Sequence, residues 1–228
     1  RSVSKVCHSP DGKCFATASE DGCVCVWETA TCQLLRRLQM SRDDFMTGLL
    51  FSPDSAFLAA ASFRTVEVWD VEDESVHRIF PCNMGDDLST ADPAERLISF
   101  DDTISNICWH PYRRQMIYGR HSGKVNVVDV RNGTLLLSLE QEEEVWDRRR
   151  GGRMDVCVYS TDGSRIAAGG SDGYVRIWDS GTGRLLRSFP AHDVPEKYAG
   201  MTVRDLRFTP DHKLLSAGED GTLALWDA

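Results

Sequence analysis

The sequence predicts an all-β fold made of about five repeated sheets, each with up to four antiparallel strands. Three observations predict it. Short runs of strand-forming residues recur in groups, tight-turn dipeptides separate the runs, and a bulky anchor closes the third run of each group. Successive anchors lie 42, 59, 50 and 48 residues apart, which fits a unit of about 40–45 residues lengthened by insertions. The anchors are Trp27, Trp69, Val128, Trp178 and Trp226.

The first repeat shows how the strands are predicted. Three strand-like runs begin at Val3, Cys14 and Cys23, and a fourth extends from Gln33 to Leu38. The last repeat ends directly after its third run, so its outer strand is missing. The pattern predicts repeats at about 1–40, 41–80, 102–140, 154–190 and 191–228, with insertions at 81–101 and 141–153.

The composition of the runs and of their turns supports strands rather than helices. The run Val175-Arg176-Ile177-Trp178 is rich in β-branched and aromatic residues, and no convincing amphipathic helix of ten residues is present. Asp-Gly dipeptides supply the positive φ angles of tight hairpin turns. They occur at 11–12, 21–22, 162–163, 172–173 and 220–221.

These residues resemble the WD-repeat (WD40) family over nearly the whole chain. The resemblance rests on a Trp-Asp or related dipeptide at the end of each third strand, and on Ser-Pro-Asp-Gly-type turns. It implies a β-propeller, whose repeats are called blades. Propellers have four to eight blades, so five could close a ring, but we favour part of a six- or seven-bladed ring from a larger protein. The dipeptides are Trp27-Glu28, Trp69-Asp70, Val128-Asp129, Trp178-Asp179 and Trp226-Asp227.

The resemblance also implies a structural hydrogen-bond chain of His, Ser or Thr, Asp and Trp within a blade. The fifth repeat has every member, as His192, Ser216, Asp220 and Trp226. The first repeat keeps Thr17, Asp21 and Trp27. The fourth keeps Asp172 and Trp178 but has Ala168 in place of the hydroxyl, and the second has Ala59 there. We therefore expect the second and third blades to depend on apolar packing.

Charge and composition exclude several classes of function. The chain has 35 acidic and 26 basic residues and a formal net charge of −9, which argues against a nucleic-acid-binding module. No apolar stretch approaches 18 residues, so no membrane span is predicted. No phosphate-binding loop and no His-x-x-x-His pattern is present. We therefore predict no catalytic residue, no metal site and no cofactor.

Eight cysteines bear on the compartment of the protein. None forms a Cys-x-x-Cys pair, so the spacing of zinc ligands is missing. Cys23 and Cys25 lie two residues apart in a predicted strand and therefore point to the same face. The favoured interpretation is buried thiols in a reducing compartment, either the cytoplasm or the nucleus, with a disulfide or a metal as the alternative.

The predicted function is a non-catalytic scaffold or adaptor that binds other proteins within a complex. The expected partner face lies at the starts of first strands and at the turns between second and third strands. Its candidate residues are Lys5, Glu20, Met46, Arg64, Asn106, Arg120, Asp155, Ser171 and Arg204.

Two other functions remain open at this point. One is a sensor propeller in a larger NTPase-coupled signalling receptor, and the other is an enzyme or small-ligand propeller, for which no cluster of acids and histidines can be assembled. The insertion at 81–101 is either a binding loop or a tolerated insertion. The basic block 148–153 is either a solvated loop or a contact for RNA or phosphate.

Overall fold

Strands and turns make up all the secondary structure that the computed structural model describes, which covers residues 2–41, 45–73, 77–81, 103–140, 152–192 and 201–228. The strands form small antiparallel sheets of three or four strands, which confirms the predicted all-β fold of blades. The chain divides into two compact units. The first comprises Arg1–Glu95 with Val130–Gly133, and the second comprises Arg96–Asp129 with Thr134–Ala228.

The first unit contains the first and second blades, in each of which four strands pair in chain order. The first blade consists of β1 (Val3–His8), β2 (Cys14–Ser19), β3 (Cys23–Glu28) and β4 (Leu34–Gln39). The second blade consists of β5 (Met46–Phe51), β6 (Phe57–Ser62), β7 (Thr65–Asp70) and β8 (His77–Pro81).

The second unit contains the third, fourth and fifth blades, which are also meanders in chain order. The third blade consists of β9 (Ile104–Trp109), β10 (Gln115–Arg120), β11 (Val125–Asp129) and β12 (Leu135–Leu139). The fourth consists of β13 (Met154–Tyr159), β14 (Arg165–Gly170), β15 (Tyr174–Asp179) and β16 (Leu185–Pro190). The fifth consists of β17 (Val203–Phe208), β18 (Lys213–Gly218) and β19 (Leu223–Asp227).

Apolar packing between stacked blades forms the core of each unit. In the second unit Ile166, Val175 and Trp178 are at most 1% exposed, because the fourth blade is covered on both faces. In the first unit Val24 and Leu58 are fully buried in one cluster. Burying a side chain of this size contributes about 1.5–3 kcal/mol, so this packing is the main source of stability in each unit.

The turn between the first and second strands is fixed by a Ser–Asp pair. In the first blade the Ser9 hydroxyl donates to Asp11 Oδ1 over 2.7 Å, and Cys14 N donates to Ser9 Oγ over 3.0 Å. Ser160 and Asp162 repeat the contact over 2.6 Å in the fourth blade. Gly12 follows with φ of 72°, a conformation that glycine adopts without strain.

Each first strand contains a β-bulge one residue after its start, where the pairing with the second strand skips a residue. The side chain of the skipped residue points in a different direction from that of a regular strand residue. Every later residue of the first strand is shifted by one position in its pairing with the second strand. The bulge residues are Ser4, Thr47, Ser105, Asp155 and Arg204.

Both predicted insertions fall mainly outside the described residues, which exclude 82–102 and 141–151. In the described part of the chain, no helix is both long and apolar enough to cross a membrane.

Candidate functional site

The candidate site is a set of side-chain pairs at one end of the blades, which we call the rim pairs. In a blade, the turn between the second and third strands lies beside the residue that precedes the first strand. A backbone hydrogen bond joins the two segments, as from His121 N to Thr103 O (2.9 Å) and from Glu219 N to Thr202 O (3.0 Å). The rim pairs are Ser2/Glu20, Phe45/Phe63, Thr103/His121, Arg153/Ser171 and Thr202/Glu219.

In the first unit the two rim pairs differ in chemistry. Glu20 N donates to Ser2 O over 3.2 Å, and both side chains are polar. The second pair consists of two phenyl rings, Phe45 and Phe63, stacked with centroids 5.3 Å apart and planes 21° from parallel. Phe45 is 52% exposed. An exposed aromatic stack supplies large apolar area with few rotatable bonds, which is typical of contact residues in protein interfaces.

In the second unit the rim pairs are polar or charged. Thr103 Oγ1 lies 2.8 Å from His121 Nδ1, and Arg153 N donates to Ser171 Oγ over 3.1 Å. Burial lowers the pKa of His121, and the cation of Arg153 lowers it further. The imidazole is therefore neutral at neutral pH, and the charge on this rim comes from carboxylates and guanidinium groups.

The fourth and fifth blades add charged bulge residues to their rims. Arg204 forms an ion pair with Glu219, and its side chain is 59% exposed. Asp155 lies in a more buried position, with Oδ1 4.0 Å from Arg153 Nε. Its Oδ2 atom has no hydrogen-bond partner among the described residues. Burial raises the pKa of Asp155, although Arg153, His121 and Arg204 oppose that shift.

Two of the residues that were predicted to face a partner are buried. Met46 is fully buried and Arg120 is 4% exposed, so neither side chain is available to a partner. The bulge explains the error at Met46, because the equivalent of Asp155 and Arg204 is Thr47. Arg120 is the last residue of β10, and His121 occupies the position expected for it.

The remaining face predictions lie at or beside the rim. Lys5 is half-buried and follows the bulge residue Ser4. Asn106 follows Ser105, and its Oδ1 accepts from Cys157 N over 3.2 Å, so it links the third and fourth blades. Arg64 adjoins Phe63 in the turn of the second blade. Glu20, Ser171, Asp155 and Arg204 lie at rim or bulge positions.

The residues of the predicted hydrogen-bond chain meet in the fifth blade. Trp226 Nε1 donates to Ser216 Oγ over 2.9 Å, and Ser216 Oγ lies 2.9 Å from His192 Nε2. His192 Nδ1 lies 2.9 Å from Asp220 Oδ2. An indole nitrogen only donates, so Ser216 Oγ accepts from Trp226, and each ring nitrogen of the buried His192 has a polar partner.

The first and fourth blades use other contacts. In the first, Trp27 Nε1 donates to Thr17 Oγ1 over 3.1 Å, while Asp21 accepts from the hydroxyl of Ser19 and from Cys23 N. In the fourth, Asp172 Oδ2 lies 2.6 Å from Arg176 Nη2, in a pair whose side chains are 11% and 1% exposed. Trp178 is buried at the core beside this pair.

The second and third blades contain buried polar groups that the sequence reasoning missed. In the second blade the position that holds a Ser or Thr hydroxyl in the first and fifth blades is occupied by Ala60, not Ala59. Ala60 pairs with Glu67 of the third strand, and Glu67 is fully buried. The backbone and hydroxyl of Ser41 donate to Glu67 Oε1 over 2.9 and 2.6 Å. In the third blade Asn126 Nδ2 donates to Tyr118 over 3.1 Å. A charged or amide residue at the centre of an otherwise apolar third strand is the signal that identifies these positions.

The described residues contain no group of three or more His, Cys, Asp or Glu arranged to hold a metal ion. What the rim offers is recognition chemistry, namely exposed aromatic rings, guanidinium groups and carboxylates on a rigid scaffold. Consecutive four-stranded meanders with a common bulge, common turns and stacked apolar faces define a protein built of propeller-type blades.

Comparisons with known proteins identify the type of blade. The family model described as WD domain, G-beta repeat matches residues 1–28, 151–179 and 183–227. The three matched stretches are therefore WD repeats, and the resemblance predicted from the sequence is confirmed there.

Relatives of several kinds match most or all of the chain. Eukaryotic translation initiation factor 3 subunit I of Candida albicans is 21% identical over 234 residues, which cover 100% of this chain and 63% of that protein. WD repeat-containing protein 1 of Gallus gallus is 28% identical over 80% of this chain and 27% of its own length. Apoptotic protease-activating factor 1 of Homo sapiens is 26% identical over 100% of this chain and 16% of its own length.

Proposed function

We propose that this chain is a non-catalytic platform that binds other proteins through its rim pairs and the adjoining bulge residues. The proposal is supported by a contrast: the blades have a common backbone structure, but the side chains of their rim pairs differ. All five blades share the bulge in the first strand, yet their rim pairs are chemically different. A stacked Phe45/Phe63 pair, a Thr103/His121 pair and an Arg204–Glu219 ion pair occupy comparable positions. This variety gives the rims different recognition chemistry, although Thr103 and Thr202 are themselves buried.

The relatives support a role within assemblies. One is named as a subunit of translation initiation factor 3, and the chain spans 63% of its length. Another is named for activating an apoptotic protease. By analogy, this chain binds one or more proteins as part of a complex. The cysteines that the structure describes are free thiols, which fits a reducing compartment such as the cytoplasm or the nucleus.

The experiment is a charge reversal at Arg204 with a matched control on the same strand. Arg204→Glu places a second carboxylate next to Glu219. The two carboxylates repel each other where Arg204 and Glu219 now form an ion pair on the rim of the second unit. We expect the recovery of co-purifying proteins, measured by quantitative mass spectrometry, to fall at least about tenfold, because an arginine that is an interface hot spot contributes about 2 kcal/mol or more.

The control is Arg207→Glu, which changes an exposed arginine of β17 that pairs with Asp205 over 3.6 Å, away from the rim. Phe63→Ala tests the first unit in the same way. Melting temperatures near that of the wild type verify folding. If Arg204→Glu, Phe63→Ala and Arg207→Glu all give the wild-type set of partners, the rim is not the binding surface.

A second candidate is a regulatory region within a larger signalling protein. The match to 16% of human apoptotic protease-activating factor 1 favours it, because the whole of this chain corresponds to a small part of that protein. A Gly-x-x-x-x-Gly-Lys-Ser/Thr phosphate loop elsewhere in the same gene product would support this function, and its absence from the full-length sequence would oppose it.

A further inference from the structure

Two cysteines of the first blade lie side by side on β3, at a place that the proposed rim does not use. Cys23 Sγ and Cys25 Sγ are 3.8 Å apart. Residues two apart in a strand point to the same face, so both thiols lie on the face of the sheet opposite the buried Val24. Cys23 is 8% exposed and Cys25 is half-buried, so one edge of the pair is open to solvent.

The separation of the two sulfur atoms favours chelation over a disulfide. Two sulfurs bound to one tetrahedral ion at about 2.3 Å lie about 3.8 Å from each other. The observed gap matches that distance without any movement of the strand. A disulfide needs about 2.05 Å between sulfurs, and Cα atoms two residues apart along a strand are separated by about 6.6 Å, near the upper limit for a disulfide.

The guanidinium group of Arg37, on the neighbouring strand β4, contacts one of the two thiols. Arg37 Nε donates to Cys23 Sγ over 3.2 Å, and this hydrogen bond is the main cause of the raised pKa of Arg37. Donors of this kind orient thiolate ligands and offset their charge. Asp21 lies on the other side, where its Oδ1 accepts from Cys23 N over 3.2 Å.

We propose that Cys23 and Cys25 form a dithiolate site for one soft divalent cation of the zinc and cadmium class. On binding, the two sulfur–hydrogen bonds break, two metal–sulfur bonds form, and both protons leave to solvent. Water or small thiols complete the coordination, because no described group supplies three or more protein ligands.

Zinc and cadmium suit the site because thiolates are soft ligands and the required geometry is tetrahedral.

The test is a titration of the reduced protein with Cd²⁺, followed by the ultraviolet charge-transfer absorption of cadmium thiolate and repeated with Zn²⁺ against a chromophoric chelator. We expect one ion per chain with micromolar affinity. Cys23→Ser and Cys25→Ser should each weaken binding at least about tenfold, and Arg37→Gln should weaken it with the stoichiometry unchanged. Cys32→Ser, which alters an exposed single cysteine, should bind as the wild type does.

Thermal melts of every variant separate loss of the site from loss of folding, and Cys25→Ala gives a second substitution at the more accessible sulfur. The proposal is overturned if the wild type binds no ion at micromolar concentration. It is equally overturned if folded Cys23→Ser and Cys25→Ser proteins bind as tightly as Cys32→Ser, because the ion then lies elsewhere.

Discussion

At the scale of single residues, the blades satisfy the same buried positions with different polar chemistry. His192 is held between Ser216 and Asp220 in the fifth blade, whereas Arg176 pairs directly with Asp172 in the fourth. An unpaired buried donor or acceptor costs about 1–3 kcal/mol, yet Nη1 of Arg176 is buried without a hydrogen-bond partner among the described residues. Asp155 is a second such case, since one of its carboxylate oxygens is also buried without a partner there.

Asp155 should therefore make stability depend on pH. Its pKa is raised in the folded state by burial, so the folded chain binds the proton more tightly than the unfolded chain does. Stability is then lost as the pH rises through the window between the ordinary aspartate pKa and the raised value. Asp155→Asn should be more stable than the wild type at pH 7, by about 1 kcal/mol, with a difference that shrinks towards pH 4.

Urea denaturation at the two pH values measures this effect. Asp205→Asn is the control, because Asp205 lies on the first strand of the next blade with a side chain that is 54% exposed. A destabilised Asp155→Asn protein at pH 7 would show that the carboxylate is needed in its charged form.

At the scale of elements, the strands, turns and repeats follow from the sequence, and the rim follows only in part. Asp-Gly turns and runs such as Val175 to Trp178 predict the meanders, because local propensity and periodicity both point to strands. The bulge in each first strand leaves no clear local signal, since residues as different as Ser4, Asp155 and Arg204 occupy it. This one-residue offset is why Met46 was wrongly predicted to face a partner.

The Asp172–Arg176 pair was not predicted, because the resemblance implies a chain of His, Ser or Thr, Asp and Trp in which an arginine has no place. Removing one side of a buried ion pair leaves a buried charge, which costs about 3–5 kcal/mol, whereas replacing it with apolar groups is often neutral. Asp172→Ala should thus destabilise the protein by about 3 kcal/mol. The double variant, Asp172→Ala with Arg176→Met, should lie within about 1 kcal/mol of the wild type.

Chemical denaturation followed by tryptophan fluorescence gives this comparison, because Trp178 lies in the core of the same blade. If the double variant is destabilised as much as Asp172→Ala, the uncompensated charge of Arg176 does not decide the stability of the fourth blade.

At the scale of the whole molecule, each unit is a stack of like sheets whose rims carry unlike side chains. The fold class and the resemblance to WD repeats can be read from the sequence because the first, fourth and fifth blades repeat the same turns and anchors. The second and third blades lack the Asp-Gly turns, and the third has Val128 as its anchor. The chemistry of the rim was only partly predictable, since contacts such as Phe45 with Phe63 join residues that are 18 positions apart. Such pairs become neighbours only when the pairing register of the blade is known.

If partners bind at the rim, amide hydrogen exchange there should slow when the chain is bound to a co-purified partner. We predict slowed amide exchange on binding in the turns at 62–65, 120–123, 171–173 or 219–222. The turns at the other end of the strands, at 9–13, 52–56, 160–164 and 209–213, should be unchanged. Slowed exchange confined to these four turns would contradict partner binding at the rim.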